Sequence, residues 1–171
     1  MTLDTRVLGL QKYYRGNMND TDIERLVREN IDKSIHMSLA TVRDNIPWVC
    51  EVHFAYDDDL NLYWRSLKDR RHSLEIADNP NVAGNIVDKF AVGEPPVGVY
   101  FEGAAELLEP GDDQQKAFEL LKVRVDAADD AIEDAAKENG HKFYKVTVKN
   151  WYAFGRFGLP NGQKFKLDWN K

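Results

Sequence analysis

The run NIPWVCEVHFAYDDDLNLYWRS, residues 45–66, constrains this chain more than any other. Apolar and polar residues alternate with a period of two on both sides of a short acidic turn. That period places successive side chains on opposite faces, so each half reads as a strand with one face toward a core. In residues 47–56, Trp48, Cys50, Val52, Phe54 and Tyr56 share one face, and Val49, Glu51, His53 and Ala55 share the other. Residues 36–42 carry the same period, and Asp44-Asn45-Ile46 is a tight connection, so the two segments form a hairpin. Asp57-Asp58-Asp59 reads as a turn of solvated aspartates, and residues 60–66 extend the meander to three antiparallel strands.

The rest of the chain follows the same plan. Residues 82–87 and 97–108 read as two more strands around a Gly93-Glu94-Pro95-Pro96 loop, and residues 142–151 as another. Gly103 inside the second of these signals a bulge or a close approach by another backbone or a ligand. In residues 21–33, Ile23, Leu26, Val27, Asn30 and Ile31 recur at helical spacing, with Thr21 and Glu24 set as a capping box. Residues 112–138 carry the only long helical pattern, as one helix or two, closed by Asn139-Gly140. The sum is a mainly β fold with peripheral helices and about six antiparallel strands, in which barrel closure would remove the exposed edges.

The strand of residues 60–66 runs straight into a basic helix start. Arg65, Lys68, Arg70, Arg71 and His72 crowd there beside the hydroxyl of Ser66, with Asp69 as N-cap and Asn79-Pro80 as the stop. A helix N-terminus offers unpaired amide donors, and arginine matches phosphate geometry, so this junction is suited to an anion. The chain as a whole has a net charge of -6. A local basic pocket on an acidic protein fits a small phosphorylated ligand and excludes nucleic acid, which needs a broad basic footprint.

Cys50 is the only cysteine among 171 residues, so no intrachain disulfide forms and a reducing, cytoplasmic setting is expected. No apolar run reaches membrane-spanning length, and the opening MTLDTRVLGLQKYYRGN lacks the apolar core of a secretion signal. Neither the dinucleotide glycine fingerprint nor the triphosphate-binding loop occurs. His36 and His53 lie about equally far from the hairpin turn, so they can face each other across adjacent strands. Without a third ligand at recognisable spacing, they read as two polar strand residues rather than a metal or haem site, and no metal ligands are assigned. His141 follows a helix stop and reads as a capping or exposed residue.

Taken in order, the leading helix, the SLATV strand, the NIPWVCEVHFAYDDD hairpin, the LNLYWRS strand, the RRH helix start and the NP stop resemble the FMN-binding split-barrel family that includes pyridoxamine 5′-phosphate oxidase. The resemblance runs from about Ile23 to Trp169. It implies a six-stranded antiparallel Greek-key split barrel over residues 21–171, with a helical insertion at about 112–138 and residues 1–20 as a lead-in. It also implies a homodimer with FMN at the subunit interface. Carried over residue by residue, the ring and ribityl contacts fall on Cys50, Glu51 and Val52. The phosphate contacts fall on Arg65, Ser66, Arg71 and His72, with Lys68 compensating for a histidine whose charge fades above neutrality. Phe154 matches the aromatic that reaches over the flavin from the partner subunit, and no catalytic residue is assigned.

Two departures bear on substrate. VCEVHF replaces the oxidase's arginine-rich second strand, and its C-terminal arginine-histidine signature is absent from GRFGLPNGQKFKLDW. The resemblance therefore implies a flavin site with a different small-molecule substrate: an FMN-dependent oxidoreductase passing two electrons from a reduced nicotinamide or similar donor to a small acceptor. Its alternatives are a haem-binding or haem-processing protein on the same barrel and a flavin-binding module without turnover.

Overall fold

The computed structural model describes residues 19–87, 92–93, 97–154 and 165–169. All but two residues of the expected lead-in, the turn signals at Gly158–Gly162 and most of the Gly93–Pro96 loop lie outside the described residues. Helix α1, Asp20–Ile31, starts earlier than its capping-box pattern indicates, because Asn19 is the N-cap and accepts from the amide of Asp22 at 3.0 Å. Glu24 instead takes the guanidinium of Arg28 at 2.9 Å. Strands β1, His36–Arg43, and β2, Ile46–His53, form the expected hairpin in continuous antiparallel register. Asp44 and Asn45 both adopt left-handed conformations, φ 51° and 62°, which suits a two-residue hairpin turn whose twist matches the strands.

The strand expected over residues 47–56 is broken at Phe54. Beyond it, β3, Ala55–Tyr56, pairs not with β1 but with β4, Leu62–Ser66. The remaining elements are α2, Arg71–Asp78; β5, Asn81–Val87; β6, Gly98–Leu107; α3, Asp112–Val125; α4, Ala131–Ala136; β7, Lys142–Phe154; and β8, Phe165–Asp168. They form one 8-stranded antiparallel sheet of order β2-β1-β5-β6-β7-β4-β3, with β8 paired to β7. β2 and β3 stand at opposite ends of that order yet are joined through the single residue Phe54, so the sheet is curled until its ends meet. Among the described residues the expected six strands become eight, since the Phe54 break splits one run and the tail adds β8. Gly103 sits at a register shift against β7, and a Cβ there would lie 2.3 Å from the carbonyl oxygen of Thr147.

Inside the curl, Met37, Leu39, Leu62, Trp64, Phe101, Val146 and Trp151 form the main core with the apolar stripe of α1. A second cluster lies on the outer side of β4 and β7, where Tyr63 and Phe143 pack against Ala117 and Leu121 of α3 and Ala131 and Ala135 of α4. Both faces of β4 are therefore buried, which its alternation alone does not reveal. The helical insertion forms two helices because Asp126 turns left-handed at φ 52° and ends α3. The insertion also fastens the seam. Arg124 lies over the rings of Phe54 and Tyr56 at 5.0 and 4.8 Å and donates to the Ser34 carbonyl at 2.8 Å. Asp57 is buried, not solvated as the turn pattern implies, and accepts from Lys116 at 2.6 Å, Tyr63 at 2.8 Å and the Asn61 amide at 2.9 Å.

Candidate functional site

Three of the residues singled out from the sequence meet at the corner where β4 passes toward α2. Ser66 ends β4 on its inner face, His72 lies in the first turn of α2, and Cys50 reaches in from β2. The His72 ring bonds Ser66 Oγ through Nε2 at 2.7 Å and the Cys50 sulfur through Nδ1 at 3.3 Å. His72 is buried, and this desolvation, with the nearby charge of Arg70 outweighing that of Glu75, holds its pKa below the ordinary range. A neutral imidazole has one donor and one acceptor nitrogen, so Cys50–His72–Ser66 is an uncharged chain that uses both. Burial, followed by the charges of Glu51 and Glu75, pushes the Cys50 thiol up. It is a protonated thiol, unlike the low-pKa thiolates of cysteine nucleophiles. The His72 ring expected among the phosphate cations is engaged on both sides, by Ser66 and Cys50, in surroundings that disfavour its charge.

The commitment has a pH signature. With its folded pKa depressed, His72 contributes stability that is complete above the unfolded value, near 6.5, and is lost as pH falls toward the folded value. The urea midpoint of the protein is expected to decline between pH 7.5 and 5.5. His72→Gln, which cannot take a proton, should flatten that decline; an unchanged slope would place the titrating group elsewhere.

One turn along α2, Glu75 is buried and anchors the helix to the sheet. It accepts from Thr41 Oγ1 of β1 at 2.5 Å and from Arg71 Nε at 2.7 Å. Burial disfavours its charge, but these hydrogen bonds and the Arg71 and Arg43 charges together bring its pKa below the usual carboxylate range. Arg71 also lies over the ring of Trp48, 4.4 Å from the centroid. Nε is thus spoken for, while neither Nη makes a hydrogen bond among the described residues. Beside Arg71, a cavity of about 350 Å3 is lined by Arg43, Asp69, Leu74 and Glu75 among others.

The other residues named from sequence are not gathered here. Arg65 points to the opposite face of β4, where its guanidinium pairs with Asp134 of α4 at 2.9 Å and stacks 5.1 Å from the Phe143 ring. In this position Arg65 ties the insertion to the sheet, on the face of β4 opposite Ser66. Glu51 is exposed on the outer face of β2 and accepts from Ser38 at 2.6 Å, away from Cys50 and Val52, which pack on the core. Asp69 is not the N-cap of α2; Arg70 is, in extended conformation and without a side-chain cap bond. Lys68 and Arg70 are exposed and make no ion pair among the described residues. Phe154, half-buried at the end of β7, stacks on Tyr100 with centroids 4.4 Å apart.

Sequence reasoning missed Thr41, Glu75 and Trp48. The i,i+4 spacing of Arg71 and Glu75 and the hydroxyl of Thr41 among inward-facing apolar residues were the available signals. Among the described residues no group of three His, Cys, Asp or Glu could hold a metal ion, and no helix is long and apolar enough to cross a membrane.

A family model described as "Pyridoxamine 5'-phosphate oxidase" matches residues 23–155. Comparison with curated proteins finds no match. Among solved structures, a heme binding protein from Mycobacterium smegmatis is similar with TM-score 0.64 and 18% identity, over 88% of this chain and 59% of that one. A FAD-binding protein from Mesorhizobium loti is similar with TM-score 0.57 and 19% identity, over 73% and 88%. A putative 5-nitroimidazole antibiotic resistance protein from Bacteroides thetaiotaomicron gives TM-score 0.61 and 16% identity, over 75% and 81%. At these identities the likeness is one of fold.

Proposed function

Because this chain belongs to the pyridoxamine 5′-phosphate oxidase family, we propose that it is a flavoprotein that holds FMN at the β4–α2 corner and acts as an oxidoreductase on a substrate other than pyridoxamine phosphate. The observation that carries this reading is the start of α2: no side chain caps it, and Lys68 and Arg70 stand beside it exposed. That donor set fits a phosphate. First-turn amides, the Nη atoms of Arg71, the Lys68 and Arg70 charges and the Ser66 hydroxyl can converge on one dianion. His72 contributes by orienting Ser66 rather than by charge.

Cys50 and Val52 supply a neutral wall for the ring system, a feature that the oxidase's arginine-rich strand does not offer. FMN would supply two-electron transfer, from a reduced nicotinamide or similar donor to a small acceptor, so the chain itself needs only to bind, orient and exclude water. The reading includes a homodimer. The edge strand β2 leaves Ile46 and Val49 60% and 58% exposed beside Trp48, an apolar edge suited to a second copy, and Phe154 would then cover the flavin across the interface. The FAD-binding relative is consistent with a flavin, and the heme binding relative makes the spectrum the first thing to measure.

Purified protein should release FMN on denaturation, identified by mass, and oxidise a reduced nicotinamide when loaded. A Soret band without flavin would overturn the reading. Arg71→Ala should weaken FMN binding by about 1–3 kcal/mol, the loss of a charge-assisted contact, in a flavin-fluorescence titration. Unchanged affinity would remove the phosphate from this corner.

A further inference from the structure

Away from that corner, His36 and His53 stand directly opposite each other on β1 and β2. The amide of Phe54 donates to the carbonyl of Ile35 at 3.0 Å, so a ladder bond flanks the two histidines and makes them a non-hydrogen-bonded pair. In such pairs opposed Cα atoms approach most closely, to about 4.5 Å. Both side chains are exposed. Their ring centroids are 4.3 Å apart at an interplanar angle of 55°, tilted rather than stacked.

We propose that His36 and His53 together chelate a divalent transition-metal ion of the imidazole-preferring class, Zn2+ foremost, on the outer face of this hairpin. Imidazole nitrogens bound about 2.0–2.1 Å from one ion, at angles between a right angle and the tetrahedral one, put the two ring centroids roughly 4.5–5 Å apart. The observed 4.3 Å lies within a small side-chain rotation of that range. Equal distance from the turn only lets two histidines face each other; the non-hydrogen-bonded pairing and the close, exposed, tilted rings bring two imidazoles near enough to share one ion. No third His, Cys, Asp or Glu among the described residues completes the set, so water fills the other positions and the site is open. Glu51, on the same face as His53, remains bonded to Ser38 and adds negative charge nearby. With one ligand on each strand, the ion staples the edge strand β2 to β1. The flavin corner plays no part in this site.

Zn2+ titrated calorimetrically into chelator-treated protein should bind one ion per chain at this site. His36→Ala and His53→Ala should each weaken that binding by about 100-fold, because each removes the intramolecular second contact. Zn2+ should raise the melting temperature of the unmodified protein more than that of either variant. Equal Zn2+ affinity in all three proteins would overturn the proposal. In the unmodified chain, substoichiometric Cu2+ should broaden the imidazole proton resonances of His36 and His53 together. Broadening of only one of them, or of His141 instead, would also overturn it.

Discussion

Asp57→Ala should lower the unfolding free energy by about 3–5 kcal/mol, read from urea denaturation, the largest loss expected for any single polar side chain here. Asp57 is 5% exposed and gathers Lys116 from α3, the Tyr63 hydroxyl from β4 and the Asn61 amide from its own turn. Its removal leaves the Tyr63 hydroxyl buried without an acceptor and unfastens α3 from the sheet. Burial works against the carboxylate, yet the hydrogen bonds from Lys116, Asn61 and Tyr63 bring its pKa below the usual range. Its contribution is therefore complete above the unfolded carboxylate value, near 3.9, and is lost as pH falls through the depressed folded value. Asp57→Asn keeps the shape and two of the donors but loses the ion pair, and should fall between the parent and the alanine variant. An Asp57→Ala protein within about 0.5 kcal/mol of the parent would show that the turn is only decoration.

Glu75→Ala should cost about 2–4 kcal/mol in the same measurement and loosen FMN as well. Glu75 joins two elements, its own helix α2 and β1 through Thr41, and within α2 it holds Arg71 through Nε. Without it the Thr41 hydroxyl is buried without its partner, and Arg71 keeps only its stacking on Trp48 to hold it near the cavity. Glu75→Gln keeps one acceptor oxygen, for Arg71 Nε, and offers its amide NH2 as a donor to the Thr41 hydroxyl, and so separates the two effects. It should recover much of the stability while leaving Arg71 less firmly placed. Full flavin affinity in Glu75→Ala would mean that Arg71 needs no positioning.

Period-two alternation located most of the strands and the hairpin, because a half-buried strand must alternate. It could not show that β4 is covered on its outer side, since Tyr63 is buried and Arg65 half-buried by helices some fifty to seventy residues away in sequence, through Ala117 and Asp134. The same long range hid Asp57, whose place in an acidic triplet looks solvated until Lys116 is brought to it. At the candidate site, the basic run was legible as charge but not as geometry. Arg65 and Arg71 each found a carboxylate, and which cations are ion-paired is settled by Asp134 and Glu75. The Cys50–His72–Ser66 chain joins β2, α2 and β4 and has no signature in spacing. Phe54 sits in an unbroken alternation, so nothing local marks the change of partner there.

That change of partner has a kinetic meaning. The β1–β2 hairpin closes over a few residues, whereas Leu62 must find Val146 and Trp64 must find Tyr144. Contacts so distant along the chain carry a large loop-closure cost and come late in folding. Cys50 precedes the Phe54 junction and Ser66 follows it, so their meeting through His72 requires both sheet ends to have come together. A probe of that trio during refolding would report the last seam to close, and chains halted before that point would have no pocket to offer.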